Sequence, residues 1–553
     1  MNRFWWIYFS LLLVVAFNFS VNGQTIDPNA KPFRISGSLG GNLSYYSVNG
    51  IPERQQPYGY SLFGAVNMRI YNFSIPFSVA ISKQGTSFSQ PFSRFGLSPE
   101  YKWIKLHGGY RNLSFSEFTL NGVSFLGGGV ELTPGKFRFA AMYGRLREAI
   151  QEPDNPFEIP QFKRMGYGFK IGYGDKSYFD LSFFQAKDDL NSLQNPDSLN
   201  LRNGPEASTS VGLSGKFVFA DDHLTFSYDA GISGFTRDLR APGFTESSEN
   251  QDNSLLDKFN ANTSSNAAVA GSTGLQYKGK LFTTGVKYRH VQAGYRTLGA
   301  NYLLSDLEMI TINAGTQFFK NKLAVNASYG IQNNDLSNRR FAQTGRNIGS
   351  ANLSFRPNNE WNFNLNFSNF SIYQTLLKDS LFADSVVVDQ TNYQVNFSTT
   401  YIIVNEKHTH SYTLNTNVQN LSDRRDDPVY DAGNQLFSLM FNYGLRFNQK
   451  NFGVTVGANY QDFSSLLTAQ KRYGGNAGFN VQLMDRKLMV RLKQIWNRSV
   501  LEDRDDDIFN TQLAINYELA KKHTITVSTG YILRTGQYRF SEWRSSLGYR
   551  MRF

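Results

Sequence analysis

The sequence has 553 residues, no cysteine, and 56 basic against 44 acidic residues, for a formal net charge of +12. Charged residues make up only 18% of the chain, below the roughly 25% usual in soluble domains. The lack of cysteine excludes disulfides, thiolate metal ligands and a thiol nucleophile. Because the basic residues are scattered singly and form no run or arm, the charge does not indicate nucleic-acid binding.

The first 23 residues have the layout of a secretory signal peptide. One early cation, Arg3, precedes a mostly apolar run over residues 4–19, and small residues follow at 21–23. A permanent transmembrane anchor would need about 20 apolar residues, more than this interrupted run provides. We therefore expect export, cleavage after residue 23, and a short periplasmic segment over residues 24–32.

From residue 33 onward, apolar and polar residues alternate with a period of two in segment after segment. In residues 361–368, aromatic residues and leucine interleave with Asn and Ser, and residues 310–318 and 437–448 repeat the pattern. Successive side chains of a strand point to opposite faces, so each segment has one apolar and one polar face. No comparable 3.6-residue period is sustained, which predicts an all-β protein.

The connections alternate between tight turns and longer polar segments. Turns at 133–136 and 319–322 contrast with long segments such as 148–163 and 237–262, which indicates an antiparallel meander. A two-sheet sandwich is compatible with the alternation alone. The recurrence of Phe, Tyr, Trp, Leu and Val on the apolar face favours a transmembrane, up-and-down β-barrel instead. We predict about 26 strands (range 22–28) in one domain over 33–553, with short periplasmic turns and long extracellular loops.

The last strand carries the most specific pattern. Tyr549, Met551 and Phe553 alternate with Gly548, Arg550 and Arg552, and the sequence ends on the aromatic residue. This resembles the terminal strand of bacterial outer-membrane proteins, whose final aromatic residue is read by the barrel-assembly machinery.

That resemblance implies an outer-membrane location, contact with lipid and lipopolysaccharide, and an assembly signal at Tyr549, Met551 and Phe553. The glutamine at the expected mature N-terminus, Gln24, resembles a habit of Bacteroidota proteins. Barrels that resemble TonB-dependent receptors carry a plug of roughly a hundred residues before the first strand. Since residues 24–32 are far shorter, we do not expect an energised receptor.

The polar strand faces carry more basic than acidic residues, which predicts a cationic lumen that favours anions. The alternative is that lipid excludes these charges and that they pair with acids across strands. A register slip of one residue would turn any such side chain to the other face. The expected lumen-facing basic residues are Lys136, Arg138, Lys287, Arg289, Arg356, Arg446, Arg491, Lys493, Arg544, Arg550 and Arg552.

Nothing in the sequence indicates an enzyme, a metal site or a cofactor. Four histidines, His223, His408, His410 and His523, lie at or near the short turns, and His290 has no acidic neighbour in sequence. Two acidic segments, 423–427 and 503–507, have the carboxylate density that calcium prefers. Their spacing lacks the glycine and the final glutamate of a calcium loop, so solvated external loops are the better interpretation.

Two functions remain open at this point. The first is a passive, anion-preferring pore for hydrophilic solutes. The alternative is a structural barrel subunit of an outer-membrane secretion, protein-assembly or surface-protein complex, with lipoprotein or periplasmic partners. The width of a 26-stranded barrel keeps the alternative open, because barrels of 16–18 strands already leave an aqueous channel.

Overall fold

The computed structural model describes residues 32–83, 94–151, 159–196, 201, 204–243, 261–337, 342–376, 388–423, 433–501 and 504–553. The expected signal peptide and residues 24–31 lie outside this set. Within it, the one helical element is a single 3-10 turn, Leu190–Ser192. No helix among these residues has the length and hydropathy needed to cross a membrane.

All strands belong to one sheet and follow each other in chain order. They are β1 (Phe33–Asn49), β2 (Tyr58–Ile70), β3 (Phe73–Lys83), β4 (Arg94–Leu97), β5 (Glu100–Tyr101), β6 (Ile104–Asn112), β7 (Ser124–Leu132), β8 (Phe137–Arg147), β9 (Arg164–Gly174), β10 (Tyr178–Asp188), β11 (Ala207–Phe219), β12 (Leu224–Thr236), β13 (Ser265–Lys278) and β14 (Phe282–Val291). The second half comprises β15 (Leu307–Phe318), β16 (Leu323–Asn334), β17 (Ala342–Phe355), β18 (Trp361–Leu376), β19 (Asp389–Val404), β20 (His408–Asp423), β21 (Asn434–Phe447), β22 (Phe452–Ser465), β23 (Ala469–Leu483), β24 (Leu488–Leu501), β25 (Arg504–Ala520), β26 (His523–Thr535) and β27 (Phe540–Arg552).

The sheet closes into a barrel because β27 pairs antiparallel with β1, with Tyr549 opposite Gly41. The short segments β4 and β5 both pair with β3 on one side and β6 on the other, so together they form one strand of the wall. The barrel therefore has 26 strands. The predicted fold class and strand number are confirmed.

The two ends of the barrel differ in their connections. At the end that holds Phe33 and Phe553, turns of two to five residues join the strands, and we call this the turn end. At the other end, the loop end, several connections exceed ten residues. Closure leaves no unpaired edge among the described strands, which is what a bilayer requires of a spanning sheet.

The outer face of the barrel is apolar. On β9, for example, Tyr167, Phe169 and Ile171 are exposed on the outside, whereas the residues between them face the lumen. Near the turn end, rings on β18–β23 form a belt with neighbouring centroids 4.4–6.2 Å apart. The belt residues are Trp361, Tyr401, Tyr412, Tyr443, Phe447, Phe452 and Phe479. Aromatic girdles of this kind mark the interfaces of membrane barrels.

Candidate functional site

The connection between β6 and β7, residues 113–123, folds into the lumen and is called the inner loop here. Its side chains Phe115, Phe118 and Leu120 are buried. They pack against inward-facing strand residues such as Phe184 and against residues from the connection between β14 and β15. This second connection, residues 292–306, is called the companion loop. Together the two loops build an apolar core inside the barrel.

Glycines on the inner face of the wall leave room for the inner loop. A Cβ placed on Gly168 would lie 3.1 Å from the Phe115 ring, and one on Gly231 would lie 2.7 Å from Phe118 Cβ. Real Cβ atoms do not approach other heavy atoms as closely as 2.7 Å. The missing side chains therefore let the loop lie directly against the strands.

Polar groups anchor the inner loop to the wall. Asp229 on β12 accepts hydrogen bonds from Ser116 Oγ at 2.6 Å and from the backbone N–H of Glu117 at 2.8 Å. The Glu117 carboxylate pairs with Arg289 on β14, and Lys287 Nζ lies 3.9 Å from it. The Arg289 guanidinium also lies over the Phe118 ring. Together, these contacts hold the inner loop in one conformation against β12 and β14.

The companion loop completes the anchor. The Tyr295 hydroxyl donates to Phe118 O at 2.6 Å, and Thr297 Oγ1 donates to Thr119 O at 3.0 Å. Burial, and secondarily the charge of Asp229, raises the pKa of Tyr295 well above its usual value, so this hydroxyl keeps its proton. The two loops therefore hold each other in place through backbone carbonyls.

A buried charge cluster ties the companion loop to the strands. Asp188 accepts two hydrogen bonds from Arg164, at 2.7 and 2.9 Å, and a third from Arg147 at 3.0 Å. Glu206 pairs with Arg164 at 2.7 Å and with Arg296 of the companion loop at 2.9 Å. Because Asp188 and Glu206 are fully buried, each depends on these arginines to compensate for lost water.

The expectation of a polar inner face is wrong for this part of the wall. Phe125, Met142, Phe184 and Phe235 point into the lumen and are buried there. The physical reason is the inner loop, which brings its own apolar side chains and shields these positions from water. We call the wall from β7 to β15 the filled side.

The lumen wall from β16 through β27 to β2 is called the open side, and its inner face is polar. Asparagines recur there and bond across strands: Asn459 Nδ2 donates to Asn497 Oδ1 at 2.9 Å, and Asn476 Nδ2 donates to Asn442 Oδ1 at 3.2 Å. Ser328 and Ser350 hydroxyls lie 2.8 Å apart on the same face. Such a surface presents donors and acceptors to water and to dissolved solutes.

The basic residues expected to face the lumen divide between the two sides. On the filled side, Arg138 donates to Asp180 Oδ2 at 2.9 Å, and Lys287 and Arg289 face Glu117. On the open side, Arg544 contacts the buried carboxylate of Glu542.

The other open-side cations differ in their surroundings. Ion pairs among the described residues leave Arg446, Arg491, Lys493 and Arg550 without a carboxylate partner. Arg550 lies over the Phe63 ring, 5.5 Å from its centroid.

Three of the expected residues lie at the turn end. Lys136 belongs to the turn between β7 and β8, and Arg356 donates to Asn362 Oδ1 at 3.1 Å beside the turn between β17 and β18. Arg552 ends β27, where its backbone N–H donates to Lys522 O at 2.7 Å. These three cations therefore lie at separate points around the turn end.

The C-terminal pattern lies on the closing strand. Tyr549 is exposed on the outer face, and its hydroxyl lies 2.7 Å from His523 Nδ1 on β26. The backbone N–H of Phe553 donates to Gly37 O at 2.9 Å, which extends the pairing of β27 with β1 to the last residue.

One polar cluster was missed from the sequence. Ser98 Oγ lies 3.0 Å from His107 Nδ1, and His107 Nε2 lies 2.7 Å from Glu131 Oε1. Residue types suited to nucleophilic catalysis thus meet between the break that separates β4 from β5 and the neighbouring strands β6 and β7. The serine is buried, however, and the more exposed member is Glu131. The cluster therefore links the strands and presents no accessible nucleophile.

The second acidic segment is not a loop, contrary to the expectation. Asp505, Asp506 and Asp507 lie within β25, where Asp506 pairs with Arg534 at 2.6 Å and Asp505 with Arg498 at 2.5 Å. Neighbouring strands supply arginines that neutralise two of the three carboxylates, which explains why the strand continues here. Of the first segment, Asp423 ends β20 and residues 424–427 lie outside the described residues.

No family model and no curated protein matches the sequence. Among solved structures, the translocation pore of the P pilus usher PapC aligns over 94% of this chain and 99% of its own, with 8% identity and a TM-score of 0.40. OccAB4 of Acinetobacter baumannii aligns over 72% of this chain and 100% of its own, with 12% identity and a TM-score of 0.29. The ferric citrate transporter FecA aligns over 93% and 78%, with 8% identity and a TM-score of 0.38.

Proposed function

We propose that this protein lies in the bacterial outer membrane and forms a passive, anion-preferring pore for hydrophilic solutes. The observation that supports the proposal is the open side of the lumen, where a polar inner face carries cations that have no carboxylate partner in the described part of the chain. The apolar outer face and the aromatic belt fit a barrel surrounded by lipid. We also propose that Tyr549, Met551 and Phe553 are read by the barrel-assembly machinery during insertion.

The two sides of the lumen have different roles in this proposal. On the filled side, the inner loop and the companion loop exclude solutes, and their ion pairs neutralise the local charge. On the open side, uncompensated cations raise the local concentration of anions and repel cations. Solutes therefore pass along the asparagine- and serine-rich wall, and the passage is narrower than the full width of the barrel.

The test is single-channel recording of the purified protein in a planar bilayer, with a salt gradient to read ion selectivity. We expect stable conductance steps and a reversal potential whose sign corresponds to anion selectivity. Steps without selectivity would overturn the anion preference. Silence from protein shown to be folded would overturn the pore and favour a scaffold subunit, whose lipoprotein or periplasmic partners should then copurify in mild detergent.

A further inference from the structure

A cavity of about 700 Å³ lies on the open side, against β24–β27 and β1. Residues of the connection between β1 and β2 border it, including Arg54. Three strand cations, Arg491, Lys493 and Arg544, also line it. Its size falls within the range of small-molecule sites, which is about 300–1,000 Å³.

Strand register explains how the cavity is formed. One hydrogen-bonded row runs from Lys493 through Gln512 and Gly530 to Arg544, across four strands. Since neighbouring strands are about 4.8 Å apart, the backbones of the two cations are roughly 14 Å apart. Of the two residues between the cations, Gly530 has no side chain, and a Cβ on it would meet nothing within 4 Å. The cavity thus has cationic sides and an open floor.

The parallel row beside it has a cation at one end only. It runs from Arg491 through Ala514 and Ser528 to Ser546. The three residues after the arginine are small, so they widen the floor, and the two serines add hydroxyl groups that donate or accept hydrogen bonds. Two neighbouring rows therefore combine into one polar depression with a cationic margin.

The charge of the cavity is strongly unbalanced. None of the described residues that line it is acidic. Among the described ion pairs, two of the four cations contact one buried carboxylate, that of Glu542: it contacts Arg544, and Arg54 Nη1 lies 3.7 Å from its Oε2 atom. Four cations and one carboxylate leave an excess of three positive charges. Both arginine side chains are 58% exposed, so they can still contact a ligand.

A second cavity of about 400 Å³ continues the charge toward the turn end. It shares Arg491 and Lys493 with the first cavity and adds Arg446. The lining residues that the structure describes again include no acid. An anion that leaves the first cavity therefore meets another cationic surface in the direction of the turn end.

We propose that the first cavity is a binding site for small solutes that carry two or more oxyanion groups, such as carboxylates or phosphates. Arginine binds the paired oxygens of such groups through two parallel hydrogen bonds. Cations on opposite sides of the floor contact separate anionic groups of one solute, and serine and glutamine side chains contact its polar body. The site deepens the proposed function, since it names the solute class that the pore would favour.

The test is isothermal titration calorimetry of the detergent-solubilised full-length barrel at fixed ionic strength, with citrate and inorganic pyrophosphate as separate probes. Saturable binding of at least one probe is expected, and the stronger probe identifies which oxyanion the site prefers. Arg491→Gln and Lys493→Gln should each weaken binding at least tenfold. Gly530→Leu should abolish it without changing any charge, because its side chain occupies the floor.

Arg550→Gln is the matched control, because Arg550 is a cation on β27 that lines neither cavity. Binding within twofold of the unmodified protein is expected for this variant. An equal loss for Arg550→Gln and Lys493→Gln would overturn a localised site in favour of general lumen charge. Each variant is first shown to be folded by its circular dichroism and its heat-dependent electrophoretic mobility.

The calorimetry separates this site from the proposed pore. Saturable binding by a barrel that is silent in bilayers would support the site and overturn the pore. Selective conductance without saturable binding of either probe would support the pore and overturn the site.

Discussion

At the scale of single residues, glycine decides where the inner loop can lie. A Cβ on Gly212 would lie 2.8 Å from Thr119 Cγ2, and one on Gly231 would meet both Phe118 Cβ and the Tyr295 hydroxyl at 2.7 Å. Both glycines face the lumen in the middle of strands, where residues with larger side chains are usual. Their lack of a side chain therefore leaves space for the inner loop beside the wall.

Gly231→Val should destabilise the barrel, because the new side chain must displace the inner loop or the Tyr295 ring. Overpacking of this kind typically costs about 1–3 kcal/mol. Gly530→Val is the control, since that position faces the lumen with no atom in its way. Thermal unfolding followed by circular dichroism measures the difference. Equal midpoints for the two variants would contradict the packing described here.

The sequence predicts which residue types face the lumen, but it does not predict which of them pair. Alternation alone indicates that Lys493 and Arg289 lie on polar faces. That Arg289 meets Glu117, which is 172 positions earlier, depends on a loop folding across the lumen. Which charged side chains pair depends on how the closed barrel brings distant segments together, so local sequence patterns do not predict it.

At the scale of elements, the inner loop is held by charge as well as by packing. Glu117 supplies the one acidic side chain of the loop, and both of its described cationic neighbours lie on β14. The pair is partly exposed to the lumen, so its attraction is screened and its contribution is on the order of 1 kcal/mol. Glu117 matters more for selectivity than for stability, because its negative charge offsets the positive charges of the filled side.

Glu117→Gln should shift the reversal potential further toward anions, since it releases Lys287 and Arg289 into the lumen. It should also increase current noise, because the loop loses one anchor. Salt-gradient recordings measure both quantities. Glu360→Gln, at an exposed turn, removes the same charge far from the loop and should leave both unchanged. Identical shifts for the two variants would argue that net charge alone sets selectivity.

The inner loop should behave as a fixed part of the wall. Thr119 Oγ1 and Ser182 Oγ lie 3.2 Å apart, so the double variant Thr119→Cys, Ser182→Cys should form a disulfide in a chain that has no other cysteine. Conductance should be the same before and after reduction. Currents that rise on reduction would show instead that the loop swings out to open the pore, and Thr119→Cys alone controls for effects of the reductant.

The inner loop had a signal in the sequence that the periodicity did not reveal. Phe115, Phe118 and Leu120 place large apolar side chains in a connection at the loop end, where polar residues are usual. Glycines at Gly168 and Gly212 then interrupt the polar faces of nearby strands. Each sign is weak alone, because apolar loop residues and strand glycines have many causes. Together they indicate a loop packed against the wall, but only once barrel closure places the loop beside these glycines.

At the scale of the whole molecule, the asymmetric lumen reconciles the width of the barrel with a permeability barrier. A wall of 26 strands encloses more space than a selective pore can use. The apolar core, the buried cluster around Asp188 and the glycine-lined wall all lie on one side. The remaining passage is bounded by the polar wall, and its uncompensated cations lie where solutes would pass.

Cysteine labelling tests this division directly, because the unmodified chain has no thiol. Ser528 lines the large cavity on the open side, whereas Ser210 is buried behind the companion loop. A bulky, negatively charged thiol reagent should therefore react rapidly with Ser528→Cys and lower its conductance. Ser210→Cys should stay unlabelled in the folded barrel and react after denaturation. Mass spectrometry measures the rate of labelling. Rapid labelling of both folded variants would mean that the filled side is accessible to solutes and that the pore uses the full width of the barrel.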